Sequence, residues 1–303
     1  MTTRFKLAYI GAGSFRFSIG FFRNIVNAVD LMPMEVALCD INEKSLDIMY
    51  NILRRMVEKG AKKKNYDPKD VLVTKSTDRR DVLKGADFVY KSISVGLQKA
   101  EWYDNYLPLK FGIPQNTGDT LGPGGLFRSL RTNHVSAAIA KDMEELCPNA
   151  TILNYTNPQG SIVMSARTKA PNTQYIGLCH EYFGGGATIW GTILLGKPKF
   201  IIGKLSRPDT WWEKIDFEYA GINHFAWFTK IEYKGKDYYP WLRERAKKYT
   251  KKKKFGHGFN FHLLDKYNYF PYPGSRHVAE FMTDYYNYFN YEIQAPYWKF
   301  PVV

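Results

Sequence analysis

Residues 5–40, FKLAYIGAGSFRFSIGFFRNIVNAVDLMPMEVALCD, decide the fold. The apolar run FKLAYI leads directly into Gly11-Ala12-Gly13-Ser14 and then into the longer stretch FSIGFFRNIVNAV; EVALCD is a second apolar run, ending on Asp40. Strand, glycine turn, helix and strand in that order predict the opening of a dinucleotide-binding fold. The glycines allow a tight turn and a close approach to a pyrophosphate, which then meets the free N–H groups at the start of the helix. Gly11, Gly13, Ser14 and Phe15 are therefore candidate cofactor contacts. Asp40 can accept from an adenosine ribose and repel a 2′-phosphate, favouring NAD over NADP. Arg16 stands where the third glycine of G-x-G-x-x-G usually falls. The plainer alternative is a structural glycine turn followed by an aspartate cap.

The same alternation continues downstream. VLVTKS and DFVYKSI read as strands three and four, and ATILNY and QYIGLC as two more. Between them lie the helical stretches NEKSLDIMYNILRRMVEKG, expected to end at Gly60, FRSLRTNHVSAAIAKDMEELC, stopped by Pro148, and a segment from Gly160 to about Lys169. This spacing predicts an α/β fold: a Rossmann-type, doubly wound parallel sheet with helices on both faces. After about residue 200 the pattern turns to β, with a hairpin turn at Lys234-Gly235-Lys236, a basic helix RERAKKYTKKKK, a loop from Phe255 to Gly274 and a last helix from Arg276. The expected division is an NAD-binding domain over 1–195 and an α+β substrate and metal domain over 196–303.

Composition narrows the function less. The 303 residues carry a net charge of +14 and only three cysteines, an odd and low count that argues against a disulfide framework. The basic runs Lys62–Lys64 and Lys251–Lys254 read as solvated helix ends, and no nucleic-acid-binding motif accompanies them. Nucleic acid is therefore not an expected partner. No apolar run reaches the length of a membrane helix, and the N-terminus lacks the features of a signal peptide, so no membrane association and a cytoplasmic location are expected.

Two residues stand out as ligands. Cys179, with His180 beside it, closes the strand QYIGLC, and His224 closes AGINH. Neighbours on a strand point to opposite sides, so Cys179 and His180 serve different ends. Cys179 with His224 forms a candidate metal pair, one thiolate and one imidazole with positions left open for substrate oxygens. His180 is then available for proton transfer.

Seven segments in order carry a family resemblance: GAGSFRF at 11–17, LCD at 38–40, GDTLGPGGLFRSLRT at 118–132, NYTNPQG at 154–160, GLCHE at 177–181, AGINH at 220–224 and PGSRHVAEF at 273–281. The chain resembles glycoside hydrolase family 4, glycosidases that require NAD and a divalent metal and depart from two-carboxylate chemistry. The resemblance implies oxidation of the sugar 3-hydroxyl with NAD⁺, removal of the acidified C2 proton, metal-assisted elimination of the glycosidic oxygen, addition of water and re-reduction, usually with Mn²⁺. It assigns Cys179 and His224 to the metal and His180 to the acid that assists the leaving group. Asn154 and Asn223 would contact the sugar, Asn157 the nicotinamide side, and Arg276 and His277 the substrate. It also implies a homo-oligomer, dimer or tetramer.

The chain departs from the family pattern in two places. The late motif often reads G-D-R-H, and Ser275 stands at the aspartate position, where it cannot serve as a base. Tyr269 and Tyr272 are the substitute bases, since some members use a tyrosine. Family members also run well past residue 303. The C-H-E run resembles α-galacturonidases, though Tyr182 follows where valine is usual, and a uronate carboxylate would suit Arg276 or Arg131. His180, rather than aspartate, argues against a 6-phosphoglycoside. An α-uronide is the expected substrate, with neutral α-glucosides or α-galactosides, a 2-hydroxy-acid dehydrogenase relative and an inactive NAD-binding relative as alternatives.

Overall fold

The computed structural model describes residues 4–182, 185–186, 189, 215–247 and 258–283. Contacts divide the chain into two compact units, Met1–Ala100 with Phe127–Leu178, and Glu101–Leu126 with Cys179–Val303. Residues 101–126 thus group with the second unit, and the expected boundary at residue 195 lies outside the described residues.

The first unit is a six-stranded parallel sheet. Its strands are β1 (Phe5–Ile10), β2 (Met34–Cys39), β3 (Val71–Ser76), β4 (Phe88–Lys91), β5 (Thr151–Asn154) and β6 (Gln174–Gly177), in the order β3-β2-β1-β4-β5-β6. That is the strand order of a dinucleotide-binding sheet, as expected from the sequence. Alternation along β1 shows why the sheet needs cover on both faces. Leu7 and Tyr9 pack with Phe22 and Ile25 of α1 (Phe15–Asn27) and Leu46, Met49 and Leu53 of α2 (Glu43–Lys64). Ala8 and Ile10 face the opposite core, with Val82 of α3 (Arg79–Leu83), Ile139 and Met143 of α5 (Gly122–Leu146) and Ile162 of α6 (Gln159–Lys169). A strand buried on both sides reads as one apolar run, which is how LAYI reads.

Three helices differ from expectation. Helix α2 passes through Gly60 to Lys64 and stops at Asn65, whose left-handed φ of 59° closes it; the exposed lysines 62–64 form its last turn, where they favour the negative end of the helix dipole. Helix α5 starts five residues early, at Gly122. Helix α4 (Leu97–Lys110) gave no clear sequence signal: it holds Pro108 and lacks an apolar stripe. Among the described residues no helix is long and apolar enough to cross a membrane.

The second unit carries an antiparallel sheet, β10-β8-β7, with β9 on β8. Strands β7 (Ile215–Ile222) and β8 (Phe225–Tyr233) form a long hairpin; β8 turns into β9 (Lys236–Asp237) through Lys234-Gly235, both with positive φ, as the hairpin reading required. Helix α7 (Tyr239–Ala246) begins before the expected basic helix, with Pro240 in its first turn; the rest of that stretch, including Lys251–Lys254, lies outside the described residues. The expected loop at 255–274 contains helix α8 (Gly258–Tyr267) and the two-residue strand β10 (Phe270–Pro271). Phe259, Asn260, Phe261, Leu263 and Leu264 of α8 are all buried, and its polar edge is short, confined to His262, Asp265 and Lys266. Helix α9 (Ser275–Glu280) follows.

One core residue of the first unit is a lysine. Lys91 ends β4 fully buried, its Nζ 2.5 Å from Ser136 Oγ and 5.8 Å from the centre of the Tyr175 ring. Burial pushes the amine down to about 7. A lysine lowered in the folded state subtracts stability fully at and below that pH, and the deficit disappears as pH rises toward the unfolded value near 10.4. Lys91→Met should therefore stabilise the protein at pH 7 by on the order of 1–3 kcal/mol, read as a higher thermal midpoint by circular dichroism. The gain should shrink steadily between pH 7 and pH 10; a gain independent of pH would show that the amine is not the cause.

Candidate functional site

The glycine loop of the first unit forms as its residues dictate. Gly11 has φ +95°, and a Cβ there would stand 2.0 Å from Ser92 O; a Cβ on Gly13 would stand 2.7 Å from Asp40 Oδ2. Ser18 donates to Ala12 O at 2.8 Å and sits 2.9 Å from the Tyr9 hydroxyl, fastening the loop to α1 and β1. Ser14 occupies the N-cap without a side-chain capping bond, and no acidic residue sits in the first turn, so side chains do not compete for the helix N–H groups. Phe15 is exposed beside it. Asp40 accepts from Gly13 N–H at 2.8 Å and from Asn42 N–H at 2.9 Å. It therefore shapes the glycine loop, while the cap of α2 is Asn42 and not the aspartate; the carboxylate stands at the end of β2, where a dinucleotide fold places its ribose-binding acid. Asn154 closes a local loop, donating to Thr156 O at 2.9 Å and accepting from Thr156 N–H at 3.2 Å. Asn157 is half-buried and precedes a cis proline.

The second unit gathers a buried polar cluster. The ligand atoms of Asp119, His224 and His277 lie within 4.8 Å of one another. His224 sits with Asn223 in the two-residue turn between Ile222 and Phe225, and Gly221 makes that turn possible: with φ +132°, a Cβ there would stand 2.3 Å from Phe225 O. The two imidazoles stack 4.2 Å apart with 7° between their planes. His277 Nδ1 meets Glu181 Oε1 at 2.6 Å, and its Nε2 lies 3.8 Å from Asp119 Oδ2. Glu181 Oε2 also accepts from Gly274 N–H at 2.7 Å. A carboxylate on one ring nitrogen, with the other aimed at the cluster, is how a metal-binding histidine is usually oriented. Thr120 Oγ1 donates to Asp119 Oδ1 at 2.8 Å and sits 3.1 Å from His224 Nδ1. With its own proton committed to Asp119, Thr120 accepts from Nδ1–H, which leaves Nε2 of His224 with its lone pair.

The charges agree with that assignment. Burial, then repulsion by His277, pulls His224 down to about 4, so it is neutral at pH 7. Burial would also lower His277, but the Glu181 hydrogen bond and the charges of Glu181 and Asp119 carry it up to about 9. Burial would raise Glu181, and the bond and charge of His277 overcome it, holding the carboxyl near 2. One carboxylate and two imidazoles form a donor set that suits a divalent transition ion such as Mn²⁺, provided His277 releases its Nε2 proton as the ion binds.

The other expected residues fall around this cluster. The sulfur of Cys179 is not among the three grouped ligand atoms; it accepts from Glu181 N–H at 3.4 Å, and burial pushes the thiol up to about 11, with Asp119 among the nearby charges that add to the rise. Asn223 lies beside both the Cys179 thiol and the Tyr272 hydroxyl, yet its buried amide nitrogen and oxygen lack hydrogen-bond partners of full geometry among the described residues. Tyr272 is buried there, and its phenol is pushed to about 12 by burial and then by Cys179. Tyr269 packs edge-on against Tyr239 at 5.8 Å. His180 is exposed, within electrostatic reach of His224. Arg276 Nε donates to Asn116 O at 2.9 Å. Asp119, Thr120, Glu181 and Glu280 were not singled out from sequence. The available signals were a lone aspartate in a glycine-rich run, a glutamate after Cys-His, and a glutamate one helical turn beyond His277.

The description "Family 4 glycosyl hydrolase" matches residues 6–195, and "Family 4 glycosyl hydrolase C-terminal domain" matches residues 219–298. The chain belongs to glycosyl hydrolase family 4. Similar proteins include an alpha-galactosidase of Bacillus subtilis, 34% identical over 91% of this chain and 59% of the relative. An alpha-galacturonidase of Thermoanaerobacter italicus is 33% identical over 97% of this chain and 63% of its own length. An alpha-glucosidase of Erwinia rhapontici is 32% identical over 80% and 50%. The chain thus spans 50–63% of the length of these three relatives. Among solved structures, the Bacillus subtilis protein lplD superposes with a TM-score of 0.77 at 28% identity, over 93% of this chain and 64% of that one. A 6-phospho-alpha-glucosidase from gut microorganisms, in complex with NAD and Mn²⁺, gives 0.75 at 20% identity over 94% and 62%, a likeness of fold.

The position that often carries aspartate in family 4 is structural in this chain. Ser275 is buried, donates to Asn260 Oδ1 at 2.7 Å and accepts from Phe259 N–H at 3.2 Å, while Asn260 Nδ2 holds Pro271 O and Pro273 O, both at 2.7 Å. Ser275→Ala should destabilise by about 1–3 kcal/mol, since it leaves buried groups unpaired. Ser275→Asp should cost more, because it sets a buried carboxylate against Asn260 Oδ1. Chemical denaturation measures both; an aspartate variant as stable as the parent would show that the site accepts a carboxylate.

Proposed function

We propose that this chain carries the machinery of an NAD- and metal-dependent glycosidase, with the nucleotide held by the first unit and a divalent cation by the second. The single observation that carries the reading is the buried group Asp119, His224 and His277, with its proton positions fixed by Glu181 and Thr120. Family membership supports it over the dehydrogenase and inactive alternatives.

When bound, the nicotinamide would supply reversible oxidation at the sugar ring and the cation electrophilic assistance beside it. Gly11, Gly13 and Asp40 shape the nucleotide cradle, with Ser14, Phe15 and Asn157 at its rim. Asp119 and the Nε2 of His224 would hold the cation, joined by the Nε2 of His277 once that ring gives up its proton, with Cys179 at the edge of the group. The orphaned amide of Asn223 offers both a donor and an acceptor to a sugar hydroxyl. His180, exposed and near His224, is placed to give a proton to a departing glycosidic oxygen. Of the two candidate bases Tyr272 is favoured, since it lies beside Cys179 and Asn223 while Tyr269 is paired with Tyr239. A phenol held near 12 becomes a useful base only with positive charge beside it.

The substrate proposed first is an α-uronide. The C-H-E run and the 33% identity to the Thermoanaerobacter italicus alpha-galacturonidase support it. A neutral α-galactoside is the second reading, on the 34% identity to the Bacillus subtilis alpha-galactosidase.

Nitrophenyl α-galacturonide, α-galactoside and α-glucoside, each tested with and without NAD⁺ and Mn²⁺, should give hydrolysis only with both cofactors and fastest with the uronide. Net accumulation of NADH would point to a dehydrogenase instead. Gly13→Ala should weaken NAD⁺ binding at least tenfold by calorimetry, because its methyl group meets Asp40. Tyr272→Phe should lower kcat about 100-fold or more with Mn²⁺ binding retained; a change confined to KM would assign Tyr272 to binding alone.

A further inference from the structure

Three of the six residues of α9 reach one short stretch of loop. Arg276 Nε donates to Asn116 O at 2.9 Å. Glu280 Oε1 accepts from Thr117 N–H and, at 2.5 Å, from Gly118 N–H. His277 Nε2 lies 3.8 Å from Asp119 Oδ2, on the next residue of that loop. His277 and Glu280 are one helical turn apart and therefore share a face. The loop is braced again by Gln115, which donates to Asp104 O at 2.6 Å and accepts from Gly124 N–H at 2.7 Å.

Glu280 is an unusual residue for this place. It adds a third carboxyl to a buried neighbourhood that already holds Asp119 and Glu181, and its Oε2 has no hydrogen-bond partner among the described residues. Burying such a group is costly unless its bonds perform a task. Its one engaged oxygen takes two consecutive amides. Those amides converge because Gly118 adopts φ +67°, and the chain then presents Asp119 toward the two histidines. The geometry points to Glu280 as a positioning residue for Asp119: it clamps residues 117 and 118 to α9, so that the carboxylate of Asp119 and the ring of His277 are set by one helix. This rests on reading Asp119, His224 and His277 as a cation site.

The test measures binding of Mn²⁺ alone, by the electron paramagnetic resonance signal of the free ion, with NAD⁺ affinity as the control for folding. Glu280→Ala should weaken Mn²⁺ binding by about 10- to 100-fold, as loss of an outer-shell partner does. Glu280→Gln should stay within about threefold of the parent, since the amide oxygen still accepts from both N–H groups. Glu280→Asp, which keeps the charge but not the reach, should lose affinity with alanine; if the alanine variant fails to fold, the glutamine and aspartate variants decide. Aspartate retaining affinity while glutamine loses it would make charge, not the clamp, the cause and overturn the proposal. Unchanged affinity in all three would overturn it as well. Asp119→Asn and His224→Ala separate the two layers: if neither weakens Mn²⁺ binding, the cation-site reading falls and the role of Glu280 with it, whereas if both do and no Glu280 variant does, only the role of Glu280 falls.

Discussion

Two imidazole rings lie face to face 4.2 Å apart inside the second unit, and the polar groups around them follow from keeping that contact tolerable. Two imidazolium ions at this distance in a buried site would repel strongly. The chain solves this by treating the rings differently. Glu181 keeps His277 charged, and burial beside that charge keeps His224 neutral. Asp119 then faces a region that carries one positive charge and one bare nitrogen lone pair. Remove Glu181 and the asymmetry goes, and with it the reason for the surrounding carboxylates to be buried.

The arrangement also explains why family resemblance and local geometry carry different weight. The resemblance names Cys179 with His224, whereas the grouped ligand atoms are those of Asp119, His224 and His277, with the thiol at the margin and raised to about 11. A thiol so raised needs a cation beside it to ionise. The carboxylate and imidazoles already offer the donors of a harder ion. Both descriptions share His224, which the β7–β8 turn holds in place.

Much of the first unit was legible because its information is local. Apolar runs such as LAYI and VALC, spaced by longer amphipathic stretches, specify a sheet covered on both faces, and Gly11 follows β1 where the turn demands it. The second unit was less legible because its information is not local. Helix α8 is only ten residues long, and its polar edge of His262, Asp265 and Lys266 is too short to stand out from the surrounding aromatic stretch. His224 could be chosen from sequence, but its partner Thr120 is 104 residues away, and Glu181 is 96 residues from His277. Each of these polar residues stood inside a recognised segment. What the sequence withheld was their pairing, which depends on how the turn after β7 and helix α9 are brought to the loop at 116–120.

The clamp on that loop has a consequence for how the protein is made. Glu280 is 163 residues downstream of Thr117, so on a ribosome adding about 5–20 residues per second the loop emerges roughly 8–30 s before its anchor exists. The last two strands of the parallel sheet, β5 and β6, are synthesised within that interval, so the sheet is complete by Gly177. The nascent chain can thus complete one unit while Asp119 is still unheld, and a ribosome halted before residue 280 would leave a nucleotide fold without its neighbour's polar cluster.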